Sequence, residues 1–410
     1  MTASAQTVSR PVDATSYASP LRRLRDWIEA RDYAGFEPYD LLNSPYFRGN
    51  WAGKQPFATL IIQSGRRIGG LRLRRFLDVP PSKNPKALGL ILAGYCDLAR
   101  DGSDVAGGIA YLKQELRRLR SPNEEHYCWG YDWNYVSLRG TKLPAFSPNA
   151  IATCFCASAL LQAASQFGDA EAAAMAASAG EFLVCRLHRS VETADQVCFS
   201  YTPGDRTRIY NSSVLVGALL ARLGNSTHNL EYLSLAKRSM QYLANQQRSD
   251  GSWSYGAGRV QKWIDGFHTG YNLCALLEYM QATGDWSFQD SLDSGYLFYT
   301  KSFFVDGVPK YFHDRLYPID IHSCSQAILT FCAFQAHDPD ALSLAQKIAS
   351  WTVHNMQSKD GSFYYQRRRF TTDQTPYMRW GQAWMFRALA HLQLLLTNPE
   401  HESPSCGASS

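Results

Sequence analysis

The sequence predicts an all-α protein, an (α/α)6 toroid of six inner and six outer helices, on three observations. Runs of very low charge recur at 84–99, 148–164, 210–223, 267–280, 321–334 and 377–396. With Asn84, Asn149, Asn211, His268, His322 and Arg379 as markers, the intervals are 65, 62, 57, 54 and 57 residues, which is one repeated unit. Amphipathic stretches separate the runs, and the heptapeptides QRSDGSW (247–253) and QSKDGSF (357–363) match 110 residues apart, the span of two units.

Each low-charge run is long enough for three or more helical turns and is almost uncharged around its circumference, the pattern of a helix buried on all sides. These six are therefore expected as inner helices, beginning near 84, 148, 210, 267, 321 and 377. Their ends are marked by FGD (167–169), LGN (223–225) and TGD (283–285), where glycine closes one helix and the acid or amide caps the next. HDPD (337–340) does similar work without glycine. Between the runs, Leu233, Ala236, Met240 and Leu243 form one stripe of the segment 229–247, while Glu231, Lys237, Arg238 and Gln241 form the other. Segments 104–120 and 340–357 behave alike and are expected as outer helices. Closed into a double ring, the inner helices have neighbours on both sides and the outer ones show a face to water. Residues 26–396 are expected to form this single domain, with 1–25 a flexible leader lacking a signal-peptide core and 397–410 a tail.

The composition, 45% apolar and 13% aromatic over 410 residues, is globular. No run approaches the roughly 18–20 uncharged residues with polar flanks that a spanning helix needs, so no membrane insertion and a cytoplasmic location are expected. Ten cysteines are scattered without a C-x-x-C pair, and Cys154 and Cys156, two apart on a helix, point in different directions. Core thiols, no metal and no cofactor are expected. The net charge of +5 comes with dispersed basic clusters at 21–25, 66–75, 115–120 and 367–369. This is compatible with an acidic substrate and lacks the focused patch that nucleic-acid binding requires.

The candidate site follows from the ring. KWIDGFHTGYNL (262–273) and PIDIHSCSQAILTF (318–331) both place an Asp and a His at the entry of an inner helix. Asp265, His268, Asp320, His322, Asn149, Asp205, Asn211, Tyr377 and Arg379 all fall at or just before such entries. In parallel inner helices they converge on one mouth, where helix N-termini also favour anionic groups. An Asp before a helix can be only a cap, but capping needs no His, Tyr, Trp or Arg. CWGYDWNY (128–135) brings Trp129, Tyr131, Asp132 and Trp133, and YTPGDRTRIYN (201–211) brings Tyr201, Asp205, Arg206, Arg208, Tyr210 and Asn211. Trp263 and Gln382 complete the expected sugar contacts. Aromatic platforms interleaved with carboxylates and guanidinium groups suit sugar rings. Two chemistries fit. A hydrolase needs two carboxylates across the bond, from Asp265, Asp320 and Asp132. An epimerase or lyase needs bases beside a carbon acid, from His268, His322, Tyr131 and Tyr210, with Arg379 neutralising the developing charge.

Gln247, Gly251 and Trp253 resemble the Q-x-x-x-G-x-W motif of triterpene cyclases and related prenyltransferase-like toroids, in which the motif staples outer helices together. The D-x-D-D acid of the protonating cyclases is absent here. From about residue 30 to 395 the chain resembles an uncharacterised bacterial and archaeal family encoded in exopolysaccharide-synthesis loci. The matching stretches are DYAGFEPYDLLNSP, NPKALGL, CWGYDW, PNAIATCF, YTPGD, DGSWSYG, WIDGFHTGYNL and PKYFHDRLYPIDIHSCSQAI. The resemblance implies a part in polysaccharide biosynthesis and supplies no established reaction; with the residues above, the expectation is an enzyme acting on an acidic glycan or its precursor, in peripheral association with the synthesis machinery. Related (α/α)6 folds include sugar 2-epimerases, uronyl C5-epimerases, polysaccharide lyases and unsaturated glucuronyl hydrolases. A terpene-cyclase-like enzyme and a non-catalytic glycan-binding assembly factor are the alternatives.

Overall fold

The computed structural model describes residues 17–47, 60–61, 70–136 and 142–398. The leader up to residue 16, residues 66–69 of one basic cluster and the tail beyond 398 lie outside the described residues. In chain order the α-helices are α1 (Ala18–Glu29), α2 (Gly70–Phe76), α3 (Pro85–Arg100), α4 (Ala106–Arg118), α5 (Ala150–Phe167), α6 (Ala170–Arg186), α7 (Tyr210–Thr227), α8 (Leu230–Asn245), α9 (Gly266–Thr283), α10 (Gln289–Ser302), α11 (Ile321–Ala333), α12 (Ala341–Met356) and α13 (Ala383–Thr397). The inner ring is α3, α5, α7, α9, α11 and α13; each packs on the next, and α13 packs on α3 to close it. Of the described helices α5 alone has the length and apolarity to cross a membrane, and it is packed between α3 and α7.

The outer ring is α4, α6, α8, α10, α12 and, sixth in space but first in sequence, α1, which packs on α13. Residues 17–25, expected as leader, are thus the start of an outer helix. Tyr17, Leu21, Leu24 and Ile28 are buried at helical spacing, while Arg22 and Arg23 of the basic cluster face out. The two heptapeptides fasten this ring. Gln247 donates through Nε2 to the carbonyls of Gly251 and of Ser291 in α10 (2.9 Å each). Gln357 donates to the carbonyls of Gly361 (3.0 Å) and of Pro20 in α1 (2.9 Å). Gly251 (φ 85°) and Gly361 (φ 95°) occupy left-handed backbone, and an added Cβ would lie 2.3 Å from the Ser294 carbonyl oxygen or 2.4 Å from that of Arg23. Each copy therefore locks one outer helix to the next, and the second closes the outer ring by tying α12 to α1.

Four of the six inner helices start under side-chain caps, Asn84 on Ala87 N, Asn149 on Ala152 N, Asp265 on His268 N and Asp320 on His322 N, while α7 and α13 start without one. Gly168 and Gly284 end α5 and α9 in the left-handed conformation, as expected. At LGN the helix runs on to Thr227, and His228 (φ 55°) makes the left-handed stop. Gly224 instead lies inside α7, where a Cβ would be 3.0 Å from the Leu233 side chain, so its missing side chain lets α8 fold back closely.

All the short strands lie in outer-to-inner connections, at the end where the inner helices begin. They are the hairpins β1 (Tyr135–Val136) with β2 (Lys142–Leu143), β3 (Arg189–Glu192) with β4 (Val197–Phe199), and β5 (Phe304–Val305) with β6 (Val308–Pro309). A small antiparallel sheet, β7 (Ile319–Asp320), β8 (Gln366–Arg367) and β9 (Thr372–Asp373), stands over α11. A π-turn, Met378–Gln382, leads into α13. Such wide turns set side chains off the regular helical register, and this one carries Arg379 and Trp380.

Candidate active site

Tyr131, Tyr201, Tyr255 and Tyr311 are partly buried, one in each of four successive connections that lead into inner helices. They mark the recess, the end of the ring where the inner helices begin. Tyr131 stacks on Trp133 (centroids 4.5 Å apart, planes 6° apart), and Tyr39 stacks on the same indole at 5.9 Å. The Tyr131 and Tyr201 hydroxyls are 2.9 Å apart, and Tyr255 stacks on Trp263 at 4.4 Å. The Arg379 guanidinium lies 4.9 Å from the Trp133 ring centroid and 5.1 Å from that of Tyr131, and pairs with Glu37 (Nη2 to Oε2, 3.0 Å). Glu37 also accepts the Arg379 backbone N–H at 2.8 Å. Burial pushes the Glu37 carboxyl up to about 8, against the pull of Arg379.

Asp265, buried at the entry of α9, receives three donors. Oδ1 accepts the His268 backbone N–H at 2.9 Å; Oδ2 accepts Trp263 Nε1–H at 2.8 Å and lies 2.7 Å from His268 Nδ1. With Nδ1 held there, Nε2 is the ring nitrogen left to a ligand. The His268 side chain is 19% exposed while the Asp265 side chain is 0% exposed, so the imidazole alone of the pair is reachable. Across Phe267 lies the second histidine. The Phe267 ring is 4.0 Å from His268 and 4.5 Å from His322. His322 Nε2 is 2.6 Å from the Tyr271 hydroxyl, and its Nδ1 is buried without a hydrogen-bond partner among the described residues, as is Trp384 Nε1. Burial first, with the positive charge of Arg379 behind it, drives His322 well below the ordinary imidazole range, so it is neutral near pH 7.

Sequence reasoning missed Lys86, in the first turn of α3. Only 2% exposed, its Nζ lies 4.2 Å from the Phe155 ring, 5.1 Å from Trp384 and 5.5 Å from Tyr271, and it makes no hydrogen bond among the described residues. Burial, reinforced by Arg379, holds the amine well below its usual range. The signal was present: Lys86 is the one charged residue between Asn84 and Cys96 in a run otherwise built for burial. Glu37, Tyr255, Tyr271 and Trp384 were missed as well, being unremarkable in type and local context.

The other expected residues divide. Asp320 is fully buried and its carboxylate is occupied, by His322 N and Trp380 Nε1 (2.9 Å each) and Gln366 Nε2 (2.8 Å). It positions His322 and Trp380 instead of facing the recess. Asp132 accepts from Ser82 and Asn84 side chains, and its carbonyl accepts from Asn43, which fixes the loop bearing Tyr131 and Trp133. Trp129 is a core residue, its indole bonded to the Leu116 carbonyl at 2.8 Å. Asn149 is a cap. Asp205 knots its own loop, accepting from Tyr201, Thr202 and Thr207, while Arg206 and Arg208 are exposed. Tyr210 turns outward to Gln246 beyond α8 (3.2 Å). Asn211 is buried with Oδ1 unpartnered among the described residues, and Tyr377 is buried with the Arg74 guanidinium 4.8 Å from its ring. Gln382 pairs with the Phe363 backbone in both directions (2.7 and 2.8 Å), so it ties the second heptapeptide to the π-turn.

No family model matches the chain, and no curated protein matches it. Solved structures do. Cellobiose 2-epimerase from Bacillus thermoamylovorans is similar at 13% identity and TM-score 0.59, over 77% of this chain and 90% of that one. The Lin0763 protein from Listeria innocua is similar at 12% and 0.60, over 93% and 97%. A D-mannose isomerase is similar at 12% and 0.56, over 76% and 86%. At these identities the likeness shows the fold, an (α/α)6 toroid.

Proposed function

We propose that the protein is a sugar epimerase or isomerase of polysaccharide biosynthesis, moving a proton on a carbon of its substrate with His268 as the base. The observation that carries this reading is the Asp265–His268 pair. Asp265 accepts the Nδ1 proton and so leaves the Nε2 lone pair toward the recess, the arrangement a general base requires. On the other side of Phe267 the Tyr271 hydroxyl and neutral His322 form a second proton-exchanging couple. Arg379 supplies positive charge where negative charge would build on a sugar oxygen, and the stacked Tyr131–Trp133 and Tyr255–Trp263 pairs offer faces for a sugar ring. The similar folds named cellobiose 2-epimerase and D-mannose isomerase support this reading. A hydrolase would need two carboxylates free to act across a bond, and Asp265, Asp320 and Asp132 are each held by two or more donors.

The resemblance to an exopolysaccharide-locus family supplies the setting, cytoplasmic and beside the synthesis machinery. The acidic substrate expected from Arg206, Arg208 and Arg379 has less support. The first two are exposed, which leaves Arg379 alone of the three beside the stacked rings. A neutral reducing sugar fits this charge balance. The test is incubation with reducing mono- and disaccharides in D2O, read by NMR. Deuterium appearing at the carbon beside the carbonyl, with formation of the epimer or ketose, is the expected result. Glycosidic cleavage without any exchange at carbon would overturn the reading.

A further inference from the structure

We propose that Lys86 forms an imine with the open-chain carbonyl of the substrate, so that His268 takes its proton from an iminium instead of a free aldehyde or ketone. The inference rests on the proposed function for its substrate class. It starts from a contrast three residues apart. Lys83 Nζ has two carboxylates, Asp32 at 2.7 Å and Glu115 at 3.1 Å, and is held as a cation. Lys86 is far more deeply buried and has none; its Nζ faces the Phe155, Trp384 and Tyr271 rings. An amine desolvated by apolar walls and set beside another cation keeps its lone pair at neutral pH, which is how a lysine becomes a nucleophile. Arg379 is that cation. The groups an imine needs surround it: Tyr271, 5.5 Å from Nζ by its ring centroid, bears the hydroxyl bonded to His322.

The step balances. The Nζ lone pair attacks the carbonyl carbon, an amine proton passes to the oxygen, and the carbinolamine forms. The Tyr271–His322 couple protonates the departing hydroxyl, water leaves and the iminium remains. His268 Nε2 removes the adjacent C–H proton, its electron pair moving into an enamine. Return of a proton to that same adjacent carbon from the opposite face restores the iminium with inverted configuration, the epimerase outcome; protonation at the nitrogen-bearing carbon would leave an aminoketone that water does not cleave, so this route serves epimerisation alone. Water then releases product and free amine. No oxidant or reductant is consumed.

The test uses glycolaldehyde, a two-carbon hydroxyaldehyde, with cyanoborohydride to reduce any imine to a stable secondary amine, followed by intact-mass measurement and peptide mapping at pH 7. The expected result is one preferred adduct, on Lys86, forming at least about tenfold faster than on any exposed lysine because those are almost wholly protonated. It should be absent from Lys86→Met with circular dichroism unchanged, and it should persist in His268→Gln although deuterium exchange is lost. Adducts spread over surface lysines with Lys86 unmodified would overturn the proposal and mark Lys86 as a cation held by aromatic faces. Wild-type deuterium exchange without Lys86 trapping removes the imine and leaves the proton-transfer reading standing. Trapping at Lys86 with no exchange into any sugar removes that reading and leaves the nucleophile.

Discussion

Replacing Asp265 with Asn separates the cap from the chemistry. Three N–H groups converge on this carboxylate: the His268 backbone, the Trp263 indole and His268 Nδ1. Asn caps a helix about as well as Asp, so its oxygen can stay on the backbone N–H. Its NH2 then faces the indole and the imidazole. The imidazole can answer only by moving its proton to Nε2 and accepting at Nδ1, which puts a donor where the base should be. The indole loses its partner. A tautomer error of this kind costs a histidine base about 10²–10⁴-fold in turnover. A hydrogen bond to a charged group is worth about 1.5–3 kcal/mol when buried; with Trp263 39% exposed, about 1 kcal/mol is the appropriate share, a loss of about 2–4 °C in Tm. The assay is deuterium incorporation into the sugar that wild-type protein exchanges, beside a thermal melt of each variant. Wild-type exchange by Asp265→Asn would refute the reasoning and return Asp265 to a cap.

Three further outcomes are expected. His322 is held neutral, so the folded chain binds its proton less readily than the unfolded chain; its stability contribution is intact above about pH 6.5 and falls as pH drops below that, by up to about 1.4 kcal/mol per unit. Melts from pH 8 to 5 should therefore show a shallower acid loss in His322→Gln, and an unchanged slope would refute the assignment. Lys86→Met should raise stability by about 1–4 kcal/mol in urea unfolding at pH 7, since a desolvated amine is replaced by an apolar chain of similar length, while deuterium exchange collapses; a large loss of stability would refute it. Gly361→Ala should cost about 1–3 kcal/mol for its left-handed backbone plus the displacement of α1, whereas Gly102→Ala, also at positive φ (84°) but with nothing within 4 Å, should cost the backbone share alone. Equal melting temperatures for the two would show that the Gly361–Arg23 contact contributes nothing.

The ring was legible because its signal is repeated. Burial all round an inner helix removes charge from its whole circumference, and six such runs at one spacing left little else to build. The sixth outer helix was harder to see, because it stands before the first inner helix and carries Arg22, Arg23 and Arg25, which read as a basic cluster until Leu21 and Leu24 are set against α13. The mouth residues were legible as a group and not as individuals. Trp129 and Tyr131 are two residues apart, a spacing that a regular extended segment would put on one side, yet the Trp129 indole bonds the Leu116 carbonyl in the core and the Tyr131 ring stacks on Trp133, so the segment turns between them. A motif rich in aromatics does not show that turn.

The two Asp–His couples show what did decide the matter, and it was present in the spacing. In IDGFH the histidine is three residues beyond the capping aspartate. That third position lies back over the cap, as in the reciprocal capping arrangement of helix N-termini, so the His268 backbone N–H and its ring reach the same carboxylate. In PIDIH the histidine is two beyond. The His322 backbone still bonds Asp320, but its ring projects about 100° earlier around the helix and meets Tyr271 instead, leaving Asp320 to Trp380 and Gln366. One residue thus separates an imidazole held by a carboxylate, ready to act as a base, from an imidazole held neutral by burial and tied to a phenol. Repeating units bring both to the same end of the ring, either side of Phe267, with different hydrogen-bond partners, the asymmetry on which the proposed proton transfer rests.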